Sequence, residues 1–322
     1  MLSTNEKNNL EGYLSTSLGL GPVSILKVDR IAMGQSRAMY RIDIEHGVDG
    51  PKLVRRIVVR VEQWGLLGTD SSDEVATMRV LHSAGFPVAK ILDYYTGNDI
   101  LGQPFFVMEY VDASEISTPE GLADYVPTLH RLHQLDWQAC EMDSYLEVPE
   151  GPRDAALQTV ERWYRIYRWG LVGEPSPLLE AATEWLRRNA PKTERLAVVH
   201  GDPGPGNYME KDGKVAALVD FEFTSIGDPE EDWAYLIAMR GAAAMSEDEW
   251  VTYIADKVGV KLDRDRLNYW KAVNFLKGTC IDQTAMKIYI DQSNPAPNML
   301  MIGTGVHLGA LKRLVEATIA YK

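Results

Sequence analysis

Apolar positions recur along this chain with two different periods. Over residues 22–62, the stretches VSILKVDRIAMG, RAMYRIDIEHG and KLVRRIVVRVEQW are rich in β-branched residues and are punctuated at Gly34, Gly47 and Gly50. Such runs predict strands. Residues 5–20 follow a helical period instead. So does SSDEVATMRVLHSAG, which starts on Ser and Asp, places Val75, Met78 and Leu81 on one face, and stops at Gly85. AKILDYYTG and PFFVMEYVD return to strand character. Beyond Asp112 helical patterns dominate, from about 118 to 190 and from about 246 to 320, interrupted by a strand-loop-strand island around 198–220. This order predicts an α+β chain with two lobes, 1–112 and 113–322.

Composition narrows the class. The 322 residues are 45% hydrophobic and 25% charged, ordinary values for a globular protein with a large core. No apolar run is long enough to span a bilayer, and the N-terminus lacks a cationic stretch followed by an apolar one. Cys140 and Cys280 are far apart and carry no metal-ligand spacing, so a reduced, cytoplasmic protein without structural zinc is expected. A net charge of −13 argues against a nucleic-acid partner, because a phosphate backbone requires a basic face. The acidic surface suits cationic ligands or simple solubility.

The island holds the candidate chemistry. Val198 and Val199 lead into His200-Gly201-Asp202, Asn207 follows, and a second apolar run ends in Asp220. Hairpin punctuation is the plain alternative. Yet His200, Asp202 and Asn207 have the H-x-D-x-x-x-x-N spacing of a kinase catalytic loop, and Asp220 opens a DFE at the end of the next strand. Phosphoryl transfer needs positioning and charge neutralisation rather than covalent help. Asp202 can accept the proton of an attacking hydroxyl. Asn207 and Asp220 supply hard oxygen ligands for Mg2+.

Upstream, the parts of a nucleotide site stand in the matching order. AMGQSRAMY joins two strands through a turn at Gly34, Gln35 and Ser36, whose backbone N–H groups can cover phosphates. Arg60 is the cation on the third strand, and Glu74 on the following helix is its candidate partner; a surface ion pair is the plain alternative. The strand 105–112 runs into a turn where Glu109 and Val111 offer backbone groups to a base. Asp228 and Asp232 either brace the loop or sit as carboxylates at a helix N-terminus. His130 and His133 share a helix face without the glutamate of a zinc motif, and packing of His133 beneath the loop is expected. GTGVHLG and GDPGPG lack the strand-helix context of a dinucleotide fingerprint.

On the motifs GQSRAMYRI, LGQPFFVMEYV, LHRLHQLDW, VVHGDPGPGNYM and ALVDFEFTSIGDPEEDWAYL, the chain resembles the aminoglycoside phosphotransferase and choline kinase superfamily. The likeness extends from about residue 30 to 240, with a helical tail of the same type. The resemblance implies a bilobal protein-kinase-like fold: a small lobe with an antiparallel sheet plus a helix, and a larger, mainly helical lobe. It also implies ATP and Mg2+ as cofactors, a hydroxyl of a small molecule as acceptor, and a monomer or homodimer. It is similar in particular to the branch found fused to, or beside, acyl-CoA dehydrogenases, some members of which phosphorylate hydroxyacyl-CoA thioesters. Two departures stand out. Arg60 replaces the lysine of many kinases, and Pro203-Gly204-Pro205 replaces a loop that often carries a basic residue.

For the acceptor, ERWYRIYRWG places Arg162, Arg165 and Arg168 at three-residue spacing among Trp163, Tyr164, Tyr167 and Trp169. Arg162, Tyr164 and Arg165, with Asp228, are the acceptor candidates; an amphipathic helix with a solvated arginine stripe is the alternative. An arginine stripe repels a polycationic aminoglycoside and suits phosphates or carboxylates. A metabolic alcohol or hydroxyacyl thioester is therefore the expected acceptor. The competing readings are an aminoglycoside or macrolide resistance kinase, and a catalytically weak nucleotide-binding regulatory protein. Protein substrates fit less well, because little chain separates the DFE from the next helix.

Overall fold

The computed structural model describes residues 2–31, 38–47, 52–62, 71–115, 118–240 and 245–319. The chain divides into two units, Met1–Ala113 with Ala216–Glu222, and Ser114–Val215 with Phe223–Lys322. A single division at residue 112 leaves out the second piece of the first unit. That piece belongs there because the amide of Leu218 donates to the carbonyl of Pro87 at 2.7 Å, and Leu218 bridges to Val88.

The first unit begins with α1 (Thr4–Ser17), started by a reciprocal cap in which the Ser3 hydroxyl receives the Glu6 amide and Glu6 receives the Ser3 amide. Strands β1 (Val23–Ile31), β2 (Ala38–His46) and β3 (Leu53–Val61) follow, then α2 (Ser72–Ser83), β4 (Ile91–Tyr95) and β5 (Phe105–Glu109). The sheet order is β1-β2-β3-β5-β4, with every neighbouring pair antiparallel. Leu10 and Leu14 of α1 are fully buried and share one apolar cluster with Ile42, Ile44, Ile57, Val59, Phe105 and Val107. Side chains alternate across a strand, so Ile57 and Val59 enter this cluster while Val58 and Arg60 point to the opposite face. The sheet thereby presents a buried cation on the side away from its apolar cluster.

The second unit contains β6 (Ser114–Glu115), α3 (Pro119–His133), α4 (Asp154–Trp169), α5 (Pro177–Arg188), β7 (Ala197–Val199), β8 (Tyr208–Lys211) and the start of β9 (Lys214–Leu218). It continues with β10 (Ser225–Gly227), α6 (Glu230–Tyr235), α7 (Glu247–Val258), α8 (Arg264–Ile290), α9 (Pro297–Met301) and α10 (His307–Ala317). Thr118 and Ser176 cap α3 and α5, each with proline at the first helical position, where a missing N–H costs nothing. Short turns of wider π-helical winding follow α6 at Leu236–Arg240 and α9 at Ile302–Val306. The core is aromatic: Trp163, Trp233, Trp250 and Trp270 are nearly inaccessible. The strands β7 and β10 pair antiparallel, Val199 opposite Ser225 and Ala197 opposite Gly227. β10 lies just beyond the strand-loop-strand island read around 198–220, where no strand was expected. Three residues are too few to show a period of two. No described helix is long and apolar enough to cross a membrane.

Asp282, half-buried on α8, has its carboxyl pushed from 3.8 up to about 7 by burial. The unfolded chain releases this proton first, so stability falls as pH rises across that interval. Asp282→Asn is expected to remove this part of the slope. Urea titrations between about pH 4 and 8 that ran parallel for variant and wild type would exclude it.

Candidate active site

In the second unit, β7 ends where the loop 200–207 begins, and the pairing with β10 fixes that end. Asp232, fully buried in the first turn of α6, holds the loop from below. Its Oδ2 accepts the His200 amide at 2.8 Å and its Oδ1 accepts the Gly201 amide at 2.8 Å. His133 Nε2 lies 2.8 Å from the same Oδ2. Burial alone would raise the Asp232 carboxyl. The bonds and charge of His133 and the His200 amide outweigh it, and the carboxyl is held below its ordinary value. Asp232 is therefore a brace as well as a helix N-terminal carboxylate, and His133 packs beneath the loop against Trp233.

The loop is closed by its own groups. The Asp202 amide donates to His200 Nδ1 at 3.3 Å, which places the ring proton of a neutral His200 on Nε2. The Asn207 Nδ2 donates to the Asp202 carbonyl at 2.9 Å, so Oδ1 is the atom of that amide suited to a cation. Tyr125 donates to the Pro203 carbonyl at 2.8 Å, and its ring stacks on Tyr208. The Pro203-Gly204-Pro205 segment is thus anchored to α3. Asp202 itself is half-buried, and its Oδ1 is buried with no hydrogen-bond partner among the described residues.

In the first unit, Arg60 is 6% exposed and bridges two carboxylates. Its Nη1 donates to Glu74 Oε1 at 2.6 Å and its Nη2 to Asp220 Oδ1 at 2.9 Å. Burial works against the charge, but Glu74 and Asp220 hold the guanidinium above its ordinary range. Asp220 has a left-handed backbone with φ +67°, a conformation that costs a non-glycine residue about 1–2 kcal/mol. Its side chain is 35% exposed. At the end of β5, the Glu109 amide donates to the Lys90 carbonyl and the Val111 carbonyl accepts the Ala113 amide. Arg55 pairs with the Glu109 carboxylate at 2.9 Å. Gly34 and Ser36 lie outside the described residues. Among the described residues no cluster of three or more His, Cys, Asp or Glu could hold a metal alone.

The acceptor candidates are not gathered. Arg162 Nη1 donates to the carbonyls of Phe223 at 3.1 Å and Thr224 at 3.4 Å. Arg165 is exposed and 3.8 Å from Glu147. Tyr164 donates to Glu180 at 3.0 Å beneath Arg187. The cause is geometric: at about 100° per residue, three-residue steps drift by about 60° each. The stripe therefore turns away from a single face. Asp228 is 1% exposed, accepts from Thr193 and pairs with Arg266, so it locks buried structure rather than touching an acceptor. Sequence reading missed Arg266, Glu231 and Lys277. The signal for Lys277 was a lone cation in the apolar run of α8, AVNFLKGTC.

The model of the APH family, a phosphotransferase enzyme family, matches residues 27–270. This chain belongs to that family. It is 32% identical over 247 residues to acyl-CoA dehydrogenase family member 10 of Mus musculus, covering 70% of this chain but only 21% of that protein. Two solved structures share its α+β kinase-like fold. The choline kinase LicA of Streptococcus pneumoniae has a TM-score of 0.62 at 16% identity, covering 98% of this chain and 99% of that one. A thermostable mutant of aminoglycoside phosphotransferase APH(4)-Ia, in ternary complex with ADP and hygromycin B, has a TM-score of 0.62 at 14% identity, covering 96% and 98%. The family match makes the chain a member of a phosphotransferase enzyme family, and the two structures add the likeness of fold.

Gly201 has φ +84°, and a Cβ there would lie 2.7 Å from the Phe223 carbonyl oxygen. Gly201→Ala combines left-handed strain with that clash. A lower melting midpoint, by a stability loss of about 1–3 kcal/mol, is expected in calorimetry. An unchanged midpoint would show that the loop is free to shift.

Proposed function

We propose that this phosphotransferase moves the γ-phosphoryl group of ATP to a hydroxyl of a small molecule, with Mg2+ as cofactor. The observation that carries the reading is Asp202: a carboxylate with one oxygen buried and unpartnered among the described residues, on a loop whose backbone is tied down on every side. In this reading Asp202 orients the acceptor hydroxyl and takes its proton as the new P–O bond forms and ADP leaves. Asn207 and Asp220 would hold the cation, which neutralises charge on the transferred group. Arg60, positioned by Glu74, neutralises the phosphates of the donor. The Glu109 carbonyl and Val111 amide face the base, and Gly34 and Ser36 belong to the phosphate turn. The ADP of the APH(4)-Ia complex supports a nucleotide donor.

For the acceptor, we favour a metabolic alcohol, including a hydroxyacyl thioester, over an aminoglycoside. The similarity to an acyl-CoA dehydrogenase family member supports this choice, although the chain spans about a fifth of that relative. The same reading places the protein in the cytoplasm as a monomer or homodimer.

The test is phosphate incorporation, followed by mass, with Mg2+-ATP and a panel of aminoglycosides, macrolides, choline, sugars, hydroxyacyl-CoA thioesters and phenolic or steroidal alcohols. One acceptor class should be phosphorylated, and Asp202→Ala should lower turnover by about 100-fold or more. Full turnover by that variant would remove Asp202 from its role. Nucleotide binding with transfer to no hydroxyl and no water would favour a regulatory module. Separately, Asp220→Ala should weaken Mg2+-ATP binding by about tenfold or more in titration calorimetry, about 1.4 kcal/mol. An unchanged affinity would count against the cation assignment.

A further inference from the structure

Lys277 lies in the middle of α8 and is 2% exposed, a costly place for an ammonium group. Its Nζ donates to the carbonyl of Gly201 and lies 3.3 Å from Glu231 Oε1. The rings of Tyr235, Trp163 and Phe223 surround it at 4.7, 5.5 and 6.0 Å. Glu231 is 3% exposed, with the Asn274 side chain on its carbonyl and the Thr159 hydroxyl 3.5 Å from its Oε2. On the other side, Arg162 donates to the carbonyls of Phe223 and Thr224, and its guanidinium rests over Trp163. Gly201 and Phe223 are themselves in close approach. All these groups lie within the second unit.

Two backbone segments are thus gripped by cations from below. One is the peptide immediately before Asp202. The amides of His200 and Gly201 are taken by Asp232, and the Gly201 carbonyl by Lys277. With these polar groups fixed, the Asp202 backbone cannot rotate without breaking a charge-assisted bond in a low-dielectric site. The other is the segment that follows the DFE, fixed by Arg162. Glu231 balances the cations.

We infer that Lys277, Glu231 and the half-buried Arg162 form a clamp that sets the position of Asp202, acting as positioning residues that touch no substrate. The clamp rests on the proposed phosphotransfer only for the task assigned to Asp202. A methionine would fill the volume of Lys277 and leave the Gly201 carbonyl without its donor, so the charge, not the bulk, is what the clamp requires.

The test pairs hydrogen exchange with hydrolysis of Mg2+-ATP, water serving as acceptor. In Lys277→Met, amides of 198–207 should exchange about tenfold faster while those of α3 and α5 keep their rates. The kcat for ATP hydrolysis should fall about tenfold or more, with KM for ATP within about twofold. Unchanged exchange in 198–207, or a uniform acceleration through every helix, would overturn the clamp. So would local acceleration with kcat intact. If Lys277→Met does not fold, Arg162→Met decides, with faster exchange expected at 223–227 and unchanged exchange there overturning the inference. If wild type neither binds nor hydrolyses ATP while the local exchange effect persists, the phosphotransfer reading fails and the clamp stands.

Discussion

One buried carboxylate organises the loop 200–207. Asp232 sits at the start of a six-residue helix, yet its two oxygens receive the His200 and Gly201 amides and face His133. A buried charge of this kind is tolerated only when its hydrogen bonds are nearly complete. The consequence runs outward. With the peptide groups of 200 and 201 committed, Gly201 must adopt a positive φ, the chain must turn at Asp202, and Asn207 can close the loop on the Asp202 carbonyl. Removing the carboxylate would leave two buried amides unpaired, so the arrangement stands or falls together.

The first unit solves a different problem by a related device. Its sheet must keep a guanidinium beside apolar neighbours. Strand alternation turns Arg60 away from the Ile57 and Val59 cluster, and two carboxylates meet it there. Phe106, on the neighbouring strand, lies under the guanidinium at 5.6 Å. The arginine does this with separate nitrogens of its planar fork, Nη1 to Glu74 and Nη2 to Asp220.

Much of this was legible in the sequence, and the reasons differ by element. The helix carrying Val75, Met78 and Leu81 was readable because it buries one face and so shows its period, and the strands around residues 22–62 because their runs are rich in β-branched residues. His200, Asp202 and Asn207 could be singled out from their spacing, and the structure sets all three on one loop; Asp220 could be singled out as the opening of the DFE, and it meets Arg60. The roles of Asp228 and the α4 arginines were not, because burial and partner choice depend on segments far along the chain. Thr193 and Arg266 claim Asp228, and the carbonyls of 223 and 224 claim Arg162. Lys277 was hidden for the same reason: its partners, Gly201 and Glu231, lie 76 and 46 residues away.

The return of Ala216–Glu222 to the first unit has a bearing on how the protein is made. A chain emerging from the ribosome completes residues 1–113 long before Leu218 can donate to Pro87. Until then the first unit lacks the segment that carries Asp220 to Arg60. The second unit is interrupted by the same excursion, so it too waits for later sequence. Neither unit corresponds to a continuous stretch of chain, and a fragment cut at the end of β5 would omit the residue that completes the Arg60 site.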